Sequence, residues 1–197
     1  MTSPTAVLVV DDEEGIRQAL ERFLTRVGYR VSGAANAKEA LARLEAEHPQ
    51  AMLCDIRMPE TTGVELLPKA LAVDHDLAVI MLTAIDEPRT AIECLKLGAS
   101  DYLIKPVDLD ELEMSLQHAL RARQLEIDRR QLEQWLAKEV AERTRDLEEK
   151  TAAIEAIALD AIAATNGAAQ EAAIQKLAAE LGVSVDDVRL EVRARQA

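Results

Sequence analysis

Five polar residues stand where short apolar runs stop. Asp11 and Asp12 follow Ala6-Val7-Leu8-Val9-Val10, with Glu13 just beyond; Asp55 follows Ala51-Met52-Leu53-Cys54. Thr83 follows Leu77 to Leu82, and Lys105 follows Tyr102-Leu103-Ile104. If those runs are parallel strands, their ends share one edge and the five residues converge. Carboxylates held together repel one another and raise each other's pKa unless a cation relieves them. An all-oxygen ligand set suits Mg²⁺, which keeps several waters. Lys105 adds a point charge. Such a site holds an anionic phosphoryl group against a carboxylate. Asp55 is then the natural nucleophile, because a carboxylate forms an acyl phosphate. Mg²⁺ and Lys105 neutralise charge on the phosphoryl oxygens, and the Thr83 hydroxyl donates to one of them.

The elements needed to position these residues are legible. The runs at Ala6–Val10, Ala51–Cys54 and Leu77–Leu82 are continuous and apolar, as in strands covered on both faces. Val31 begins a weaker second strand, and Tyr102–Ile104 forms a short fifth. Ile16, Leu20, Phe23, Leu24 and Val27 recur at helical spacing before Gly28. Ala40, Leu41 and Leu44 mark a second helix, Gly63–Leu71 a third, and Ala91 to Leu97 a fourth that stops at Gly98. Strands alternating with helices predict a parallel sheet with right-handed crossovers. Ligands bind such sheets at the carboxyl ends of strands, at a topological switch point.

Composition narrows the function classes. The 197 residues carry a formal net charge of −13 and a pI near 4.7. That field opposes phosphate backbones and anionic membrane surfaces. Aromatic residues make up 2 %, so the core is built from Val, Leu, Ile and Ala. Cys54 and Cys94 lie in apolar stretches and are expected as buried, reduced thiols. No signal-peptide pattern and no apolar run of membrane-spanning length is present, so a soluble, cytoplasmic protein without membrane contact is expected. His48, His75 and His118 show no ligand spacing.

Val9-Val10-Asp11-Asp12, Asp55-Ile56-Arg57-Met58-Pro59 with Gly63, Thr83-Ala84 and Lys105-Pro106 together resemble the CheY-like receiver family of two-component signalling, over about residues 5–120. The resemblance implies a flavodoxin-like (βα)5 doubly wound sheet. It implies Mg²⁺ held by Asp12, by Asp55, by Asp11 through water and by the Arg57 backbone carbonyl. Asp55 takes a phosphoryl group from a histidine kinase or phosphotransfer protein, and Thr83 and Tyr102 form a switch pair. The Lys105–Pro106 bond is usually cis in this family. Beyond self-phosphorylation from small donors and self-dephosphorylation, no enzymatic activity is implied.

The receiver is expected over 1–120. From about Leu109 to Ala164 the chain has no Gly or Pro, and its charge is dense and mixed. Leu112, Leu116, Leu120, Leu125, Leu132, Leu136, Val140, Leu147 and Ile154 recur mostly at four or seven residues. One helix over 109–164 is expected, continuous with the last receiver helix, with a coiled-coil seam and a parallel homodimer. Val140-Ala141-Glu142-Arg143-Thr144 resembles the signalling helices that join receiver modules to outputs. A small helical tail over 165–197 begins with a break at Asn166-Gly167, stops its first helix at Gly182 and caps its last with Ser184. Three outputs stay open. One is a dimeric regulator acting through protein contacts, one a transcription factor with a helix-turn-helix-like tail, and one a regulator whose enzymatic output was lost or trimmed. Asp186 and Asp187 at the start of the last helix, and Glu171, Glu180 and Glu191 against Lys176, Arg189, Arg193 and Arg195, disfavour DNA.

Overall fold

The computed structural model describes residues 4–84, 88–163 and 167–196. Two compact units divide at Arg130 and Gln131. In the first, strands β1 (Ala6–Val10), β2 (Arg30–Ala34), β3 (Ala51–Asp55), β4 (Ala78–Thr83) and β5 (Asp101–Ile104) alternate with helices. The helices are α1 (Glu14–Arg26), α2 (Ala37–Glu47), α3 (Gly63–Val73) and α4 (Pro88–Lys96), and α5 (Leu109–Ala163) follows β5.

All four strand pairings are parallel, in the order β2-β1-β3-β4-β5. This is the flavodoxin-like doubly wound sheet, and its order reverses between β1 and β3. The three central strands are buried at every residue, which explains their unbroken apolar text. One core layer joins Leu8, Met52 and Met81 to Leu66, Leu67 and Ala70 of α3; the other joins Val9, Leu53 and Ile80 to Leu24, Leu112 and Leu116. Cys54 and Cys94 are free thiols, and both lie inside the first layer.

Helix ends follow the expected punctuation. Gly28 (φ 102°) and Gly98 (φ 106°) adopt left-handed backbone just past α1 and α4, where a Cβ would be strained. Helix α3 carries Pro68 in its interior, and the sequence reading passed over it. A reciprocal capping box between Thr62 and Glu65, with Leu66, Leu67 and Ala70 fully buried, outweighs the hydrogen bond that proline removes. The Thr-x-x-Glu spacing was the available signal.

Helix α5 is continuous over 55 residues, as its lack of Gly and Pro predicts. Its first turns belong to the receiver core through Leu112, Leu116 and Ala119. Farther along, Leu125, Leu132, Leu136, Val140 and Leu147 are exposed. The second unit adds α6 (Gly167–Leu181) and α7 (Val185–Gln196). These helices share an apolar cluster with the end of α5, formed by Ile157, Ile174, Leu177, Ala178, Val188 and Val192. The tail expected over 165–197 thus shares its apolar cluster with Ile157 of α5. Gly182 (φ 67°) ends α6, and the Ser184 hydroxyl accepts from the Asp187 amide at 3.1 Å. The expected break at Asn166, residue 164 and the side chain of Arg195 lie outside the described residues. Among the described residues, no helix is long and apolar enough to cross a membrane.

Candidate functional site

Strands β1, β3, β4 and β5 deliver their last residues to one edge beside the β1–β3 switch point. Pairing of Val10 with Cys54, and of Asp55 with Leu82, sets Asp11, Asp55 and Thr83 side by side. The pairing of Thr83 with Ile104 brings Lys105 alongside, and the Lys105 amide donates to the Thr83 carbonyl at 2.7 Å. Carboxylate oxygens of Asp11, Asp12 and Asp55 lie within 4.8 Å of one another. Asp11 is fully buried and Asp55 nearly so, whereas Asp12 faces solvent. A buried wall with one open ligand suits a cation that keeps part of its water shell.

Lys105 Nζ bridges the two buried acids, donating to Asp11 Oδ2 at 2.8 Å and lying 3.0 Å from Asp55 Oδ1. Burial pushes the Asp55 carboxyl above the usual carboxylate range, against the opposing pull of Lys105 and of the Arg57 backbone amide. Burial alone would depress the lysine, yet its hydrogen bonds to Asp11 and Asp55 hold it above the ordinary value. One ammonium thus faces two buried carboxylates and leaves a net negative site. That imbalance, with the third acid at the rim, fits a divalent cation.

Asp11 has a second, structural task. Its Oδ1 accepts from the Glu13 amide at 2.9 Å at the start of α1, while Arg17 Nη1 donates to the Asp11 carbonyl at 2.6 Å. This turn bond and the ion pair occupy different carboxylate oxygens, so the one does not preclude the other. The role of Arg17 had no signal in the sequence, because a surface arginine on a helix is common.

Gly63 shows why the motif ends in glycine. A Cβ there would lie 2.2 Å from the Asp55 carbonyl oxygen. The Gly63 amide instead donates to the Ile56 carbonyl at 2.9 Å, and Ile56 donates to Leu82 at 3.0 Å. The loop after β3 is thereby stitched to β4 next to Asp55.

The remaining expected residues take distinct places. Thr83 is buried, and its hydroxyl donates to its neighbour's carbonyl, that of Ala84, at 3.3 Å. Tyr102 pairs with Met81 across the ladder and packs half-buried against the core layer that contains Cys54. The Arg57 amide serves Asp55, and the Lys105–Pro106 bond is cis. His48 sits in left-handed backbone (φ 45°) at the end of α2, and His118 is exposed on α5. His75 lacked a partner in the sequence reading, but the structure sets it against Arg130 and Asp76.

Comparison with known proteins agrees with this geometry. The family model described as the response regulator receiver domain matches residues 7–117. The chain is 39 % identical over 137 residues to Regulatory protein AtoC of Escherichia coli (strain K12), covering 70 % of this chain and 30 % of that protein. It is 41 % identical over 115 residues to Probable transcriptional regulator ycf27 of Cyanophora paradoxa, covering 58 % and 48 %. The chain thus spans less than half the length of these curated relatives. Among solved structures, a receiver domain protein (CheY-like) from Methanospirillum hungatei JF-1 superposes with a TM-score of 0.60 at 33 % identity, over 63 % of this chain and 99 % of that one. NtrX from Brucella abortus gives 0.63 at 28 % identity, over 66 % and 30 %. With more than half of its residues matched by that family model, the chain belongs to the response regulator receiver domain family of two-component signalling.

Proposed function

We propose that this protein is a phosphorylation-controlled response regulator in which Asp55 is the phosphoacceptor. The observation that carries the reading is Lys105 Nζ held between Asp11 and Asp55 beside a third acid at the open edge. Asp55 Oδ forms a P–O bond to phosphorus as the P–N bond of a phosphohistidine donor breaks. The donor imidazole nitrogen keeps the electron pair of the broken bond, takes up a proton from solvent and leaves as neutral imidazole. Lys105 steadies the charge spread over the phosphoryl oxygens, and rotation of the Thr83 hydroxyl away from Ala84 lets it donate to one of them. Asp11, Asp12, Asp55 and the Arg57 carbonyl would hold Mg²⁺. When bound, Mg²⁺ supplies the positive charge that lets a phosphoryl group approach these carboxylates. Tyr102 sits two residues before Ile104, the ladder partner of Thr83, and is placed to follow a movement of that threonine. A histidine kinase or phosphotransfer protein is the donor class.

Output runs through α5. Its exposed Leu132, Leu136, Val140 and Leu147 support a parallel homodimer whose packing or register responds to Asp55. A second reading, DNA binding by the tail, draws on relatives named as transcriptional regulators. Against it, Arg189 of α7 is already engaged by Glu171 and Asp186. We favour protein contacts as the output.

The test is labelling by a small-molecule phosphodonor with Mg²⁺. Wild type incorporates label and Asp55→Asn does not; equal labelling of the two rejects the reading. A dimer is expected by light scattering at tens of micromolar, an order-of-magnitude choice for a modest affinity, and a monomer there rejects the stalk dimer. Salt-dependent binding to a palindromic duplex would establish the second reading.

A further inference from the structure

Helix α5 buries one stripe as it leaves the receiver. Leu112, Leu116 and Ala119 are in the core, and Arg123, Ile127 and Arg130 continue the same three-to-four spacing, each half-buried. The stripe ends on a polar tie. Arg130 Nη2 lies 2.5 Å from both Asp76 oxygens, and Arg130 Nη1 donates to His75 Nε2. A guanidinium has no acceptor, so His75 presents its ring lone pair there. Both partners belong to the loop between α3 and β4, which enters the sheet from the edge opposite Asp55. The loop is itself ordered, because the Asp76 amide donates to Asp74 Oδ1 at 2.9 Å and the Leu77 amide to the Asp74 carbonyl at 3.1 Å. Asp76 is only 19 % exposed and Arg130 31 %, so the pair is less screened than a surface contact. It lies 54 residues apart in sequence and joins two elements that share no strand pairing.

We propose that Arg130 is the positioning residue that pins α5 to the α3–β4 loop, so that the helix through Arg130 moves as one body with the receiver. The proposal rests on the reading above only in its consequence. With the helix held at Arg130, Leu132 is the first exposed apolar residue of α5 beyond the latch. A displacement of α5 driven by phosphorylation at Asp55 must therefore break this contact.

Spin labels at Lys69 of α3 and Asp128 of α5, both exposed, give one intrasubunit distance; doubly labelled chain is diluted into unlabelled chain. Cys54 and Cys94 are buried and take no label in the native state. Wild type should give one narrow distance distribution. Asp76→Asn and Arg130→Gln should each raise the detached population about fivefold, seen as a second, broader component. The double variant should be no broader than Arg130→Gln alone, because that variant already removes the Arg130 contacts to both Asp76 and His75. Distributions as narrow as wild type in either single variant overturn the proposal, and so do effects that add in the double variant. Light scattering and Asp55 labelling on the same samples separate this outcome from failure of the dimer or of the phosphoacceptor reading.

Discussion

Replacing Lys105 with Met tests the electrostatics of the site most directly. The substitution keeps most of the aliphatic stem and removes the ammonium that bridges Asp11 and Asp55 at 2.8 and 3.0 Å. Two buried carboxylates then face each other within 4.8 Å. At an effective dielectric constant of about 20, their repulsion is roughly 3.5 kcal/mol. This is an upper bound, because one acid relieves it by taking a proton. The assay is hydrogen exchange at β3 and β4 amides, which open only when the sheet unfolds. In EDTA at pH 8, exchange should be about two orders of magnitude faster than in wild type. The loss should shrink with acid. In wild type, Asp55 already lies above the ordinary carboxylate range because of burial. Without Lys105 it rises further. A carboxyl raised by folding contributes stability below its unfolded value and loses it as pH rises through the folded value. Lys105 itself is raised by its partners, so its contribution is complete throughout this window and is lost only as pH climbs past that raised, alkaline value. Saturating Mg²⁺ should narrow the remaining gap, because the ion stabilises both folded proteins by mass action but relieves more repulsion where Lys105 no longer bridges the acids. Equal exchange of mutant and wild type in EDTA at pH 8 would refute the reasoning, as would a gap that Mg²⁺ leaves unchanged.

Gly63→Ala forces a methyl toward the Asp55 carbonyl, and should cost about 2 kcal/mol in the same exchange assay while slowing label uptake; an unaffected protein would show that the loop yields freely. Leu116→Ala, at a fully buried site, should cost about 2–5 kcal/mol. Leu147→Ala, at an exposed site, should leave receiver exchange unchanged and weaken self-association by light scattering. Ser184→Ala removes the cap of α7 and should cost about 1 kcal/mol of tail stability, read by exchange at α7 amides. Cys54 is buried and its thiol pushed up by that burial, so alkylating reagents should modify it only after unfolding.

Local order and the grouping of the candidate site residues were legible in the residues themselves. Strand and helix text differ because a strand covered on two faces reads as continuous Val, Leu and Ile, whereas a helix covered on one reads at period 3.6. Gly28, Gly98 and Gly182 announced helix ends because only glycine adopts those left-handed conformations without strain. Asp11, Asp12, Asp55, Thr83 and Lys105 could be grouped beforehand because parallel strands place all their carboxyl ends on one edge. Tertiary structure decided what depends on distance. It set Lys105 between two acids 94 and 50 residues away rather than beside the exposed Asp12. It pressed Gly63 onto the Asp55 backbone, and it met Arg130 with Asp76. It also folded the tail onto Ile157, so that α5 serves a core at each end. Periodicity records how much of a face is covered but not by what. Partner identity emerges only when packing closes long loops and brings together groups whose sequence spacing carries no trace of the contact.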